Sequence, residues 1–389
     1  MEQDTGLSVR RSVAIIGTRG YPSYYGGFET AVRRLAPYLA AKGWSVTVYG
    51  RPGATKPADP TRDKRIRTVE TRGLETSSFS TLSFGFTAVL HALRTKPDVA
   101  LVMNVANGFW LPLLRLRGIP TVVNVDGIEW ERAKWGRLAK LVFRLGAKLT
   151  ALNATELIAD ATAIASRWEH DFGRQSRFVP YGGDIPEDLP VEEGLSHRGY
   201  VLAVARFVPE NTMEEFFEAA EVLAQKYPVV IVGSSGYGGE LDARAAKLSA
   251  DHAAVHWLGH ISDDRRLHAL WQHAGAYFHG HSVGGTNPAL VQAMACGAPI
   301  VARDTVYNRE VLADTGTFVQ PNSLQISDEL DAAMQRAHSV DVTAIVERAQ
   351  SRYSWAGVCD GYEQALLAQL PPAESDLRGN VHTRMGSNQ

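Results

Sequence analysis

The stretch 274–304 reads AGAYFHGHSVGGTNPALVQAMACGAPIVARD. It predicts a short buried strand over 276–278, a loop, a helix that opens near Asn287 and Pro288, and a second strand over 299–302. This order of elements is half of a βαβ unit, the repeating element of a parallel α/β sheet. The stretch therefore decides the fold class of the chain.

The loop inside this stretch has the features of an anion site. A helix N-terminus presents free main-chain N–H groups and a partial positive charge, which favour a phosphate. Proline suits the first helical turn, and two adjacent glycines let a ligand approach the main chain closely. An ordinary strand-to-helix turn is the alternative. The candidate residues in the loop are His279, His281, Gly284, Gly285, Thr286 and Asn287.

The amino-terminal part of the chain repeats this pattern. The β-branched run 12–16 predicts a buried strand, and a glycine-rich loop precedes a helix over 28–41. Gly26 and Gly27, followed by Glu29 at the helix start, suit the close approach of a phosphate or a sugar, with a plain turn as the alternative. The G-x-G-x-x-G spacing is absent after this strand, which argues against a nicotinamide dehydrogenase.

Strands and helices continue to alternate along both halves of the chain, which predicts two doubly wound α/β domains. The strand over 121–125 delivers Asp126 to its carboxyl end, where open α/β sheets hold their ligands. A carboxylate there could bind or polarise a sugar hydroxyl, and an Asp-Gly turn is the alternative. The proline- and acid-rich segment 180–199 is predicted to link the domains, and the cleft between them is the expected ligand site.

The segment 129–149, EWERAKWGRLAKLVFRLGAKL, has the pattern of an amphipathic helix. On a helical wheel its apolar residues occupy one arc, and its basic residues flank that arc on one side. Such a helix can lie on an anionic membrane surface, and packing on its own domain is the alternative. The apolar residues are Trp130, Trp135, Leu138, Leu141, Val142, Leu145 and Leu149, and the basic ones are Arg137, Lys140, Arg144 and Lys148.

Length and composition limit the classes of protein to consider. A chain of 389 residues exceeds the usual size of one hydrophobic core, so two domains are expected. The formal net charge of -2 gives no support to nucleic-acid binding. The two cysteines fit neither a metal site nor a disulfide framework, and no run of about 18 apolar residues occurs. A cytoplasmic protein is expected, either free or peripheral on the inner face of the membrane.

Several long motifs, taken together, resemble a known family. They are IGTRGYPSYYGGFET, DGIEWERAKWGRLAK, ARFVPENT, HGHSVGGTNPALVQAMACG and RDTVYNREVL, and they span nearly the whole chain. The chain resembles a family-4 retaining glycosyltransferase of the GT-B fold, most closely the bacterial rhamnosyltransferase-like branch. The resemblance implies an α/β protein with two doubly wound Rossmann-like domains that face each other across a cleft.

The resemblance also divides the chain. It implies an N-terminal acceptor-binding domain over 1–185, a C-terminal nucleotide-sugar-binding domain over 195–352, and a helix over about 353–370 that crosses back onto the first domain. The polar composition of 371–389 predicts a disordered tail. Closure of the two domains on the donor would be coupled through the crossing helix.

Roles for individual residues follow from the resemblance. Arg206 would neutralise the departing diphosphate of the donor, close to the loop of Gly26 and Gly27. Asp126 would orient the acceptor or the sugar. The phosphates or the sugar would also be contacted by His279, His281, Gly284, Gly285, Thr286 and Asn287.

The chain departs from the family pattern at its charged positions. The lysine often found five residues after the arginine is Asn211 here. The phosphate charge would therefore be neutralised by Arg206 alone or by another cation such as Arg303. The family's acidic pair becomes Gly284 and Gln292, and Gln292 would bind the nucleotide ribose as a neutral amide. No D-x-D triplet occurs, so no metal and no cofactor beyond the donor are expected.

These observations give one hypothesis and two alternatives. The hypothesis is a glycosyltransferase that moves rhamnose or another hexose from a nucleotide diphosphate sugar, with deoxythymidine diphosphate rhamnose as the first donor to test, to a hydroxyl of a glycan or glycolipid. The alternatives are a nucleotide-sugar epimerase of the same fold and a non-catalytic nucleotide-sugar binding protein. Release of nucleotide diphosphate only when acceptor is present separates the transferase from the epimerase.

Overall fold

A computed structural model describes residues 11–24, 26–56, 58–74, 80–125, 127–132, 136–236 and 238–371. Its strands form two parallel sheets, one in each half of the chain, with helices between successive strands. The fold class predicted from the sequence is confirmed, because both halves are doubly wound α/β domains. Asp126, Trp135 and the segment 372–389 lie outside the described residues.

The amino-terminal sheet has the strand order β3-β2-β1-β4-β5-β6-β7 in the described chain. Helices cover both of its faces, so its central strands are continuous apolar runs rather than alternating ones. Its strands are β1 Ser12–Ile16, β2 Ser45–Gly50, β3 Arg67–Glu70, β4 Val99–Met103, β5 Thr121–Asn124, β6 Glu156–Ala159 and β7 Arg177–Phe178. Its helices are α1 Gly27–Ala41, α2 Ser80–Thr95, α3 Leu111–Leu116, α4 Arg137–Asn153 and α5 Thr162–Phe172, with 3-10 turns at Val105–Trp110 and Glu129–Glu131.

The carboxyl-terminal sheet has the order β10-β9-β8-β11-β12-β13. The order reverses between β8 and β11, and ligands bind at such a switch point in open α/β sheets. Its strands are β8 Val201–Val204, β9 Val229–Val232, β10 Val255–Trp257, β11 Ala276–His279, β12 Ile300–Arg303 and β13 Thr317–Val319. Its helices are α6 Met213–Leu223, α7 Glu240–Asp251, α8 Asp264–His273, α9 Pro288–Ala295, α10 Val306–Leu312, α11 Ser323–Arg336 and α12 Thr343–Arg352, with a 3-10 turn at Pro209–Asn211.

The last helix, α13 Trp355–Leu367, returns from the second domain to the first. Tyr362 joins the apolar core around α1 and β2. Glu363 accepts hydrogen bonds from Trp44 Nε1 at 3.0 Å and from Tyr38 Oη at 3.1 Å. The helix therefore joins the two domains through both apolar packing and hydrogen bonds.

The structure corrects the prediction of one amphipathic helix over 129–149. A 3-10 turn ends at Glu131 and α4 begins at Arg137, so Trp130 does not share a helical face with the leucines of α4. Trp130 is instead buried, with its ring 6.2 Å from that of Trp168 and 5.9 Å from that of Phe172. Within the described chain, none of the helices has the length and apolar character needed to cross a membrane.

Candidate functional site

A cleft opens between the two domains where the strands of both sheets end. Its cavity of about 320 Å³ falls within the usual size of a small-molecule pocket. Both predicted glycine-rich loops line it, although they lie some 250 residues apart in the sequence and on different domains. Of the residues predicted from the sequence, the cleft brings together Gly26, Gly27, Arg206, Asn211, His279, His281, Gly284, Gly285, Thr286 and Asn287.

The start of α1 forms one wall of the cleft. Gly26 is the N-cap of the helix and provides no side chain to cap its first N–H groups. Tyr181 packs over Gly27, where a Cβ would lie 3.2 Å from the tyrosine oxygen. The helix therefore presents main-chain donors to the cleft, as an anion site requires.

Glu29 does not take the donor-contacting position predicted for it. Its side chain is buried, and Oε1 accepts a hydrogen bond from the main-chain N–H of Arg19 at 2.9 Å. It is not among the residues that line the cleft. The geometry gives Glu29 the role of holding the loop before α1 in place.

The start of α9 forms the facing wall. Asn287 caps the helix by accepting a hydrogen bond from Ala289 N–H at 2.9 Å, and Pro288 follows it in the first turn. Thr286 donates its hydroxyl hydrogen bond to the main-chain oxygen of Asp160 on the other domain. A Cβ on Gly285 would lie only 2.0 Å from Asp160 Oδ1, so glycine is needed where the two domains approach.

His279, at the end of β11, is a neutral donor or acceptor in the cleft. Burial lowers its pKa to about 3, because a charged imidazole would lose its hydration. Its Nδ1 lies 3.1 Å from Tyr277 Oη, while Nε2 has no hydrogen-bond partner among the described residues. The ring stacks with that of His281, their centroids 5.8 Å apart.

Arg206 follows β8 and lines the cleft with an exposed side chain. No ion pair joins it to any described residue, so its charge is available to a ligand. Asn211 donates a hydrogen bond from Nδ2 to the main-chain oxygen of Arg206 at 2.8 Å. Its Oδ1 is buried and has no partner in the described part of the chain. Asn211 thus fixes the main chain that carries the arginine.

A second arginine, Arg132, reaches the same cleft from the other domain. Glu129 Oε1 lies 2.8 Å from its Nε, and its Nη2 would be 3.0 Å from a Cβ on Gly127. The sequence argument missed this residue because it placed the whole segment on an amphipathic helix. Its position shortly after the carboxyl end of β5 could have identified it, because open parallel sheets bind their ligands at that edge.

Two other predicted residues point elsewhere. Arg303 does not line the cleft. Its Nη1 donates a hydrogen bond to Thr212 Oγ1 at 2.9 Å, so it does not supply the second cation.

Gln292 is buried and makes two hydrogen bonds to the main chain of Asp184. Its amide oxygen accepts from the N–H at 3.0 Å, and its amide nitrogen donates to the carbonyl oxygen at 2.7 Å. The predicted contact of Gln292 with a donor ribose is therefore not what this geometry shows.

Comparison with known families gives the same division of the chain as the structure. The family described as "Glycosyl transferase 4-like domain" matches residues 26–182. The family described as "Glycosyl transferases group 1" matches residues 186–345. The chain therefore contains one domain of each of these two glycosyltransferase families. Each of the two domains contributes one wall of the cleft.

Curated relatives match part of the chain. O-antigen chain mannosyltransferase B of Escherichia coli is 23% identical over 177 residues, which are 43% of this chain and 46% of that protein. Phosphatidyl-myo-inositol mannosyltransferase of Mycolicibacterium smegmatis is 32% identical over 161 residues, 39% of this chain and 40% of that protein. The chain thus matches less than half the length of either relative.

Solved structures share the fold over nearly the whole chain. Sucrose-phosphate synthase from Thermosynechococcus elongatus matches with a TM-score of 0.74 at 19% identity. The match covers 92% of this chain and 100% of that chain. Anabaena Alr3699/HepE in complex with UDP-glucose matches with a TM-score of 0.71 at 16% identity. The match covers 92% of this chain and 99% of that chain. These likenesses establish the GT-B arrangement of the two domains.

Proposed function

We propose that this glycosyltransferase moves a sugar from a nucleotide diphosphate sugar to a hydroxyl group of a glycan or glycolipid. The observation that carries the proposal is the pair of arginines, Arg206 and Arg132, that the two domains bring to one cleft. Two guanidinium groups beside two helix N-termini fit a diphosphate, which holds the negative charge of both donor and leaving group.

The proposed reaction retains the configuration of the sugar. The bond between the anomeric carbon and the β-phosphate oxygen breaks, and its electron pair stays with the diphosphate. The acceptor oxygen bonds to the anomeric carbon on the face that the diphosphate leaves, and its proton passes to the departing phosphate oxygen. Arg206 and Arg132 stabilise the negative charge that grows on this oxygen and its neighbours.

Two buried polar atoms at the cleft are suited to sugar or phosphate recognition. His279 Nε2 and Asn211 Oδ1 have no hydrogen-bond partners among the described residues, although both side chains are buried. An unpaired buried polar group is costly, so a ligand that pairs with it gains affinity. Because His279 is neutral, it can contribute a hydrogen bond without adding charge.

The donor sugar is proposed to be rhamnose or another hexose. Deoxythymidine diphosphate rhamnose remains the first donor to test. Mannosyl nucleotides follow, because two relatives are named as mannosyltransferases, and UDP-glucose is included because a structural neighbour is titled as binding it. Transfer without a metal is part of the proposal, since the two arginines provide cationic charge for the diphosphate.

A non-catalytic nucleotide-sugar binding protein is the second candidate. One observation favours it: Gln292 is turned away from the cleft, and Gly284 offers no side chain, so neither acid of the family pattern has a substitute there. The comparisons give no support to the epimerase alternative.

The test is a donor screen with product analysis. The purified protein is incubated with each nucleotide diphosphate sugar, with and without simple glycoside or glycolipid acceptors, and with and without EDTA. We expect one donor to release nucleotide diphosphate only with acceptor, equally in EDTA, and to give a product of unchanged anomeric configuration. Donor binding without turnover would favour the non-catalytic candidate, and an inverted product would contradict the proposed reaction.

A further inference from the structure

Helix α4 packs against its own domain in an unusual way. Its buried residues are small, Gly146, Ala147, Thr150 and Ala151, and the helix approaches so closely that a Cβ on Gly146 would lie 2.8 Å from Val105 O. Four leucines are exposed: Leu138 is 72% exposed, Leu141 64%, Leu145 47% and Leu152 61%. The domain therefore does not cover these four leucines.

These leucines form one continuous stripe. Their spacing of three, four and seven residues keeps them on one side of a helix. At 1.5 Å per residue the stripe is on the order of 20 Å long. Leu141, Leu145 and Leu152 line a shallow groove whose far side is Phe172. Isolated exposed leucines are ordinary, but a stripe of this length indicates an interaction surface.

The charged residues of α4 itself are all basic. The helix contains Arg137, Lys140, Arg144 and Lys148 and no acidic residue. Arg144 and Lys148 line the same groove as the leucines. The acidic residue at the groove, Asp171, lies 2.7 Å from Arg167 Nε and 2.8 Å from His170 Nδ1. The ion pair with Arg167 largely compensates its negative charge.

We propose that this face of α4, hereafter the leucine face, docks on an anionic lipid bilayer. The leucines would enter the boundary between headgroups and acyl chains, and the basic residues would bind lipid phosphates. A second copy of the chain fits less well. An antiparallel two-fold dimer through the leucine face would place the four cations of one helix beside the same four of the other, and α4 offers no acidic partner for them. The charge of α4 therefore favours an anionic membrane over a second copy.

The position of the leucine face relates it to the cleft without depending on the proposed reaction. Arg132 lines the cleft, and the described chain resumes at Gly136, the N-cap of α4. A bilayer against α4 would lie near the wall of the cleft formed by the first domain. This last consequence rests on the proposed function: an acceptor hydroxyl carried by a lipid would be supplied from the surface on which the protein rests.

The test is co-sedimentation of the full chain with vesicles of phosphatidylcholine, with or without phosphatidylglycerol, in the absence of any donor. We expect binding to the anionic vesicles and little to the neutral ones. The double variant Arg144→Glu with Lys148→Glu should weaken binding by about 25-fold or more, from about fivefold for each basic residue at an anionic surface. Leu141→Ser with Leu145→Ser should weaken it by on the order of tenfold or more, because less apolar surface enters the bilayer.

Control variants make the same kinds of change on the other domain. Lys247→Glu with Arg336→Glu alters two exposed cations of α7 and α11, and Leu324→Ser alters an exposed leucine; both should leave vesicle binding unchanged. Arg206→Ala should bind vesicles like the parent even if it transfers no sugar, which separates this proposal from the proposed reaction. Light scattering of the parent and of the leucine double variant reports the oligomeric state.

The proposal is overturned if the parent binds anionic vesicles no better than neutral ones. It is also overturned if the control variants weaken binding as much as the α4 variants do. A parent dimer that the leucine double variant converts to a monomer would assign the leucine face to contact between copies of the chain.

Discussion

Arg132 and Gly284 meet across the cleft: Nη2 of the arginine lies 3.8 Å from the position that a Cβ on Gly284 would occupy. Gly284 has a φ of +96°, which glycine adopts readily. The family pattern has an acid at this position. With glycine at this position, residue 284 itself supplies no carboxylate to compete with a phosphate for Arg132, and Glu129 lies 2.8 Å from the arginine Nε.

Replacement of Arg132 by alanine should reduce the affinity for the nucleoside diphosphate that the protein binds. A hydrogen bond to a charged group contributes about 1.5 to 3 kcal/mol, so a loss of roughly 10- to 100-fold is expected. Arg132→Lys should recover part of the affinity, because lysine keeps the positive charge but cannot form the bidentate hydrogen bonds of a guanidinium. Isothermal titration calorimetry with the nucleoside diphosphate measures both variants.

The control for this prediction is Arg336→Ala, which removes an exposed arginine at the end of α11. Its affinity should equal that of the parent. Equal affinities for the Arg132→Ala protein and the parent would show that the cleft binds phosphate without the first domain's cation.

Replacement of Arg206 by alanine should lower kcat/KM for sugar transfer by on the order of 10²- to 10³-fold, the usual effect of removing one donor that stabilises charge in the transition state. The side chain is exposed, so stability should change little. Asn211→Ala should have a smaller effect, because it removes the hydrogen bond that positions the main chain of Arg206 rather than the charge. Undiminished turnover in Arg206→Ala would refute the assigned role.

Gln292→Ala should destabilise the protein. The amide of Gln292 makes two hydrogen bonds to the main chain of Asp184, in the segment between the domains, and their loss leaves partly buried main-chain groups unpaired. A decrease of about 1 to 3 kcal/mol in the free energy of unfolding is expected from urea titration.

The same variant distinguishes two roles for Gln292. If it acts as the structure indicates, donor affinity in Gln292→Ala stays within a few-fold of the parent at a temperature where both are folded. A large loss of affinity for nucleotides that contain ribose, with unchanged stability, would instead restore the role predicted from the sequence.

The strands were predictable because their residues are buried on both faces and so form uninterrupted apolar runs, as in β1 and β4. The two glycine-rich loops were also found, since paired glycines before an apolar helical pattern, with proline at the first helical position of α9, are visible without knowledge of the packing. The direction of a side chain was harder. Spacing located Gln292 on α9 but did not show that it faces Asp184, and local pattern assigned Arg132 to a helix that begins only at Arg137. Both outcomes depend on tertiary packing, which a local pattern does not show.

The buried His279 should make the stability of the protein depend on acidity. Its folded-state pKa of about 3 lies below the ordinary value of 6.5, so acidification protonates the unfolded chain first and favours unfolding. Stability from this residue is fully present above pH 6.5 and is lost as the pH falls towards 3. Between pH 7 and pH 5 the parent should lose about 2 kcal/mol more free energy of unfolding than His279→Gln, which cannot titrate.

Urea titrations of both proteins at the two pH values measure this difference, in which the contributions of the other histidines cancel. Equal losses would show that His279 is accessible to protons in the folded protein, and its neutral role in the cleft would have to be abandoned.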